Sequence, residues 1–205
     1  MKKIILLVAL ASSIFASSSD GIILGIGVGS TSTKSTASST GAYRKNTTGN
    51  ESGSTFEISL EYRIKSIYQI GITYGDIAVA DSYRDINSDS SIYYLIATAD
   101  YIFMKDKKWR PFIGIALGNS TMDYKLSSVN YKTSSISLKD SALALGIRAG
   151  VAYEFDNFEI SYRIQYLSTK LEASDSLYVG TEYETKMVAG HEDFMNSMIF
   201  VKYHF

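Results

Sequence analysis

The chain has 205 residues, a net charge of -1, 45% apolar residues, one proline and no cysteine. This length favours one domain, and an apolar fraction this high supports a packed core and excludes global disorder. The missing cysteines exclude disulfides, thiolate metal sites and cysteine nucleophiles, and the near-neutral charge gives no electrostatic case for nucleic acid binding.

The N-terminal segment has the layout of a secretory signal peptide. Lys2 and Lys3 precede a short apolar run over residues 4–11, and small and polar residues follow. That order is typical of signal peptides, and the run is shorter than the about 20 residues that a membrane-spanning helix needs. We therefore predict a signal peptide over residues 1–16 and one domain over residues 17–205. The alternative is an N-terminal anchor helix.

From residue 21 onward the dominant pattern is an alternation of apolar residues with polar or small ones. Phe56 and Ile58, for example, alternate with Glu57 and Ser59. A period of two indicates strands with two chemically different faces. Eight such windows occur, at residues 22–29, 56–64, 68–75, 93–103, 109–118, 143–155, 158–166 and 195–205. The sequence therefore predicts an all-β fold with eight strands.

The predicted connections alternate between short and long. The short ones are residues 65–67, 104–108 and 156–157, and the long ones are residues 30–55, 76–91, 119–140 and 167–194. An antiparallel up-and-down meander with every long loop at one end produces this order, as in outer-membrane barrels. In a compact soluble domain, four long structureless loops would be unusual. We expect the Ser- and Thr-rich first loop to be a solvated surface loop or a partner-binding one.

The polar face of the strands carries charges of both signs. An eight-stranded barrel is only wide enough inside for side chains, and enclosed charges need partners. We therefore predict a charge network in a largely filled lumen, and the alternative is an ordinary solvated surface. Its members are Glu57, Glu61, Arg63, Asp100, Arg148, Glu154, Glu159, Arg163 and Lys202.

Aromatic residues of the apolar face collect beside the short turns. Their rings are apolar, while a Tyr hydroxyl or Trp N–H can stay in contact with water, so such residues form girdles at membrane interfaces. The predicted girdle consists of Tyr62, Tyr68, Tyr101, Phe103, Trp109, Tyr153, Phe155 and Phe158.

The last strand ends on Ile199, Val201, Tyr203 and Phe205, all on one face. With the signal peptide and the eight alternating segments, it resembles the small eight-stranded outer-membrane barrels of the OmpA transmembrane-domain and OmpX-like type. This resemblance implies a transmembrane β-barrel in the outer membrane of a Gram-negative bacterium. It also implies contact with outer-membrane lipid and lipopolysaccharide, a monomeric state, and a C-terminal signal read by the barrel assembly machinery.

We expect no catalytic residue, cofactor or metal. His191 and His204 are the only histidines, and neither has the His-x-Ser arrangement of the lipid-modifying barrels. A cation bound by residues 191–193 and a Ser–His–acid site assembled in space remain alternatives. The sequence thus favours a structural or adhesion-type role through surface loops and an unidentified ligand. A narrow porin-like channel, a soluble lipocalin-like barrel and a lipid-modifying enzyme are the other candidates.

Overall fold

The computed structural model describes residues 20–41, 45–83, 86–128, 135–177 and 185–205, so the predicted signal peptide lies outside the described residues. The described chain forms eight strands that pair in sequence order, and β1 also pairs with β8, which closes an antiparallel barrel. None of the described residues forms a helix long and apolar enough to cross a membrane. The strands are β1 (Gly21–Gly41), β2 (Lys45–Ile64), β3 (Tyr68–Tyr83), β4 (Ile86–Ile102), β5 (Trp109–Ser128), β6 (Ser135–Phe155), β7 (Phe158–Leu177) and β8 (Thr185–His204).

Three tight turns join the strands at one end of the barrel. Lys65 and Ser66 follow β2, Met104 follows β4 and Asp156 follows β6, and all four have positive φ angles between 51° and 56°. Backbone in this left-handed region reverses the chain within a few residues. This end holds the predicted short connections, and in outer-membrane barrels it faces the periplasm.

The four predicted long loops are wrong. Strand pairing continues through most of them: β1 and β2 pair up to Ser39 and Lys45, and β5 and β6 pair up to Ser127 and Ser135. Only residues 42–44, 84–85, 129–134 and 178–184 lie outside the described strands at this end. The strands are therefore about twice as long as the apolar alternation suggested.

On several strands the outward and inward faces exchange their polarity above the membrane band, as β6 illustrates. On β6, outward residues from Tyr153 to Leu143 are all apolar, a band about 25 Å tall for ten residues at about 3.3 Å each and a tilt of about 40°. Arg148 points inward at this level and is buried. Above the band, Lys139 points outward and Leu138 is buried inside. Beyond the membrane, strands β3 to β8 thus place apolar side chains inside, as in a soluble protein, whereas β1 contributes the buried Thr31 and Thr33.

We call the part of the barrel above the apolar band the extension, and it divides into two sheets. Pairing between β2 and β3 ends at Ser54 and Ala78, and pairing between β6 and β7 ends at Leu145 and Ser168. Above these points, described residues of β2, β3, β6 and β7 keep only their other neighbour. The extension therefore has two seams, which separate a sheet of β3 to β6 from a sheet of β7, β8, β1 and β2.

An apolar core fills the space between the two sheets of the extension. Side chains from both sheets meet there, as in a sandwich of two packed sheets. The first sheet contributes Ile77, Val79, Ile92, Tyr94, Met122 and Leu138, and the second contributes Leu167, Leu171, Ala173, Ala189 and Phe194. The hydrophobic effect thus holds the extension together where no lipid surrounds it.

Candidate functional site

The barrel lumen within the membrane band holds all nine residues of the predicted charge network. Eight of them are buried, and Glu154 at the short-turn end is half-buried. Each of the nine makes at least one ion pair with another of the nine. The alternation of polar residues places them inside, and the barrel register brings opposite charges from distant strands together.

The layer nearest the extension is built around Glu57. Its carboxylate accepts hydrogen bonds from Arg163 Nη2 at 2.5 Å to each oxygen, and from the Tyr94 hydroxyl at 2.5 Å. Asn196 Nδ2 donates to the Tyr94 oxygen at 3.2 Å. The Arg163 guanidinium also stacks over the Phe200 ring, 4.4 Å from its centroid. This layer joins β2, β4, β7 and β8 across the lumen.

The middle layer is centred on Arg148. Its Nε donates to Asp100 Oδ1 at 2.6 Å, and its Nη2 contacts the other Asp100 oxygen and lies 3.7 Å from Glu61 Oε1. Glu61 also accepts from Lys202 Nζ at 2.7 Å and from Gln69 Nε2 at 2.6 Å. A paired, hydrogen-bonded arrangement of this kind offsets the cost of removing the charges from water.

The lowest layer surrounds Glu154 and Glu159 beside the short turns. Arg63 donates to both, at 2.8 Å and 2.6 Å, and Lys202 lies 3.4 Å from Glu159. Arg110 also contacts Glu154, and sequence reasoning missed it. With Arg110 the network contains five carboxylates and five cations among the described residues. The lumen is therefore close to neutral.

Two glycines make room for the network. A Cβ at Gly75 would overlap the Tyr94 ring, and a Cβ at Gly114 would overlap the Asp100 carboxylate and the Ala99 carbonyl. Glycine at these inward positions therefore lets large or charged side chains from the neighbouring strand lie across the wall. Glycines recur at inward positions of several strands, as is typical of a crowded barrel interior.

The predicted girdle residues lie on the outer face near the short turns. Tyr62 is half-buried there, and the other seven make ring contacts with 4.8–6.3 Å between centroids. One run joins Tyr68, Tyr101 and Phe103, and a second joins Trp109, Tyr153, Phe155, Phe158, Tyr203 and Phe205.

The predicted assembly signal, formed by β8 and by Phe205 directly after it, faces outward. Ile199 and Val201 are 57% and 53% exposed, and Tyr203 and Phe205 close the second run of rings. Nothing in this geometry tests whether the assembly machinery reads these residues, so the signal stays a prediction.

His204 lies at the short-turn end, where its Nε2 is 3.5 Å from Glu159. His204, Glu154 and Glu159 offer ligand atoms within 4.8 Å of one another. Arg63 and Arg110 already contact these carboxylates, which disfavours a metal ion at this place.

The sequence places His191 near a loop exit, but the residue is buried inside the extension. Its Nε2 is 3.3 Å from the Ser90 hydroxyl, which belongs to the opposite sheet, and its Nδ1 has no hydrogen-bond partner among the described residues. Burial lowers the pKa of His191 to about 4. Within the described part of the chain no acid orients the imidazole, and an imidazole with so low a pKa is a weak base at neutral pH, so this pair lends catalysis no support.

Comparison with known proteins places this architecture in a family. Residues 4–198 match the family described as outer membrane protein beta-barrel domain. No curated protein sequence matches the chain well enough to count as a relative.

Solved structures with a similar fold include the outer membrane protein OprG from Pseudomonas aeruginosa, with a TM-score of 0.65, 16% identity and coverage of 90% of this chain and 96% of that chain. Neisserial surface protein A has a TM-score of 0.53 and 17% identity, over 90% of this chain and 97% of that chain. The outer membrane protease OmpT from Escherichia coli has a TM-score of 0.51 and 9% identity, over 95% of this chain and 100% of that chain. Identities this low show a shared fold alone. The family match shows that this chain belongs to the outer membrane β-barrel proteins and resides in the outer membrane.

Proposed function

We propose that this protein is a closed, non-enzymatic outer-membrane barrel that serves a structural or surface-binding role through its extension. The observation that carries the proposal is the filling of the lumen by two successive layers. The charge network occupies the membrane band, and the apolar core occupies the extension. A solute would have to displace both layers to cross.

The two layers oppose passage by different means. Moving Arg148 or Glu57 aside would break ion pairs between side chains that are at most 3% exposed, and a buried charge without its partner is strongly unfavourable. Moving Phe194 or Ile92, both 0% exposed, would open an apolar core to water. These costs favour a closed barrel over the narrow porin-like channel.

A soluble barrel and a lipid-modifying enzyme receive less support. A soluble lipocalin-like barrel disagrees with the family match and with the exposed apolar band. A lipid-modifying enzyme would need a reactive centre open to lipid, whereas Ser90 and His191 are 4% and 1% exposed. Outer-membrane lipid and lipopolysaccharide around the band, assembly by the barrel machinery and a monomeric state remain part of the proposal.

Liposome swelling tests the closed lumen. Purified protein is folded into liposomes that are then diluted into isotonic arabinose, a sugar small enough for narrow pores. We expect swelling at the rate of protein-free liposomes, because two filled layers separate the compartments. Swelling that rises with the amount of folded protein would contradict the proposal and favour a channel.

A further inference from the structure

The connection between β4 and β5 carries more charges than either of the other two turns at the periplasmic end. It contains Lys105, Lys107 and Lys108, and all three side chains are exposed. None of the three forms an ion pair within the described part of the chain. Asp106 is the one acid of the turn. The turn therefore has a local excess of two positive charges.

Hydrogen bonds fix the backbone of this turn against the rim of the barrel. The Lys107 amide donates to the Met104 carbonyl at 2.9 Å, and Arg110 Nε donates to the Lys107 carbonyl at 3.1 Å. The Glu154 amide of β6 donates to the Lys108 carbonyl at 3.0 Å. The lysine side chains thus extend from an ordered backbone, so a ligand that binds them does not first have to order the loop.

Apolar neighbours place these lysines at the surface of the lipid bilayer. Phe103 and Met104 begin the turn and Trp109 directly follows it, and they are 45%, 64% and 59% exposed. Phe103 and Trp109 belong to the aromatic girdle, and such girdles lie at the membrane interface. A lysine beside them can keep its stem along apolar groups and its ammonium in the polar head-group region. The positive charges of the turn therefore lie at the depth of the phospholipid phosphates.

The other two turns of this end do not repeat the arrangement. The turn between β6 and β7 carries the exposed acid Asp156. The turn between β2 and β3 has one lysine, Lys65, whose amide donates to Asp20 Oδ1 at 2.5 Å. Within the described rim, the unpaired positive charge is thus concentrated at β4 and β5. This concentration indicates a local site on one side of the barrel.

From this arrangement we propose that the turn between β4 and β5 binds the anionic head group of a phosphatidylglycerol-type phospholipid in the periplasmic leaflet. The ammonium groups of Lys105, Lys107 and Lys108 would bind the phosphate, and Phe103 and Trp109 would contact the upper part of the acyl chains. These rings favour a lipid over an acidic polymer of the periplasm, because they hold the lysines against the bilayer. The proposal gives the lipid contact of the preceding section a preferred head group, and it rests on that contact.

Trp109 reports on this site directly, because it is the only tryptophan of the chain and follows Lys108. The folded barrel is placed in phosphatidylcholine bilayers with a small fraction of phosphatidylglycerol or phosphatidylcholine that carries brominated acyl chains, which quench tryptophan fluorescence on contact. The ratio of the two quenching curves gives the preference for the anionic head group.

Three variants locate the preference. The triple variant Lys105→Gln, Lys107→Gln and Lys108→Gln removes the positive charges of the turn, and arginine at the same three positions keeps them. Lys65→Gln is the control for loss of a lysine from another turn at the same end. The wild type at about 1 M salt needs no substitution, and salt at this level screens exposed charges beyond about 3 Å.

We expect the wild type to prefer phosphatidylglycerol by about 25-fold at low salt, since each net positive charge near an anionic surface contributes roughly fivefold. The preference should fall to about twofold or less in the triple glutamine variant and at high salt, and it should persist in the arginine variant and in Lys65→Gln.

Equal quenching by the two brominated lipids in the wild type would overturn the proposal, as would an undiminished preference in the triple glutamine variant. Equal quenching together with lysine-dependent sedimentation on peptidoglycan would assign the turn to the cell wall instead. Weak quenching by both lipids would refute the lipid contact on which the site rests. Conductance through the lumen would refute the closed barrel and leave these quenching ratios unchanged.

Discussion

Removal of one charge from the lumen should destabilise the barrel far more than removal of one from its surface. Glu57 is 0% exposed and holds Arg163, which is 3% exposed. Glu57→Met would leave that guanidinium buried without its carboxylate, which costs about 3–5 kcal/mol of unfolding free energy. Glu172→Met is the matched control, because its ion pair with Lys170 is largely exposed and should contribute less than about 1 kcal/mol.

Urea unfolding in phospholipid vesicles measures both effects through the fluorescence of Trp109, the only tryptophan. The double variant Glu57→Met with Arg163→Met should recover stability to within about 2 kcal/mol of the wild type, since apolar residues often replace a buried pair at little cost. The reasoning is refuted if Glu57→Met loses no more stability than Glu172→Met, or if the double variant is no more stable than the single one.

Three further predictions concern other parts of the barrel. His191 stays neutral when folded but takes up a proton near pH 6.5 when unfolded, so the free energy of unfolding should fall by up to about 3 kcal/mol between pH 6.5 and 4; urea midpoints at pH 7 and 4 should show a smaller loss for His191→Gln. Phe194→Ala removes a fully buried ring of the extension and should cost about 3–5 kcal/mol in urea unfolding, whereas Leu143→Ala on the exposed band should cost much less. Deletion of Phe205 should slow insertion into the outer membrane, and an unchanged yield of heat-modifiable barrel on gels would argue that the C-terminal signal is unused.

The sequence predicts the membrane-spanning half of the barrel well, because contact with lipid requires apolar residues on the outer face of each strand there. Outward residues such as Ile147 must be apolar, so the alternation locates the strands, and the polar positions between them supply Arg148 and its partners. The pairing of Arg148 with Asp100 could not be read from the sequence, because it depends on which residues the barrel register places side by side. The sequence also does not show how far β1 continues, since its Ser- and Thr-rich upper half has no apolar alternation.

The sequence pattern does not predict the extension, because there the apolar residues lie on the face opposite to the one they occupy in the membrane band. Above the membrane the apolar residues point inward, and on β7 the alternation of Leu167, Leu171 and Ala173 continues the strand within a segment expected to be a loop. A search that accepts apolar residues on either face of a strand would find this continuation of β7. Ser90 and His191 come together only because the two sheets of the extension face each other, and their separation of 101 residues in the chain gives no sign of it.

Single-channel recording in a planar lipid bilayer tests the central claim, a lumen closed by charged and apolar layers, most directly. Insertion of the folded wild-type barrel should produce no conductance steps above the bare-bilayer baseline. Large, stable and repeatable steps from the wild type would contradict the account.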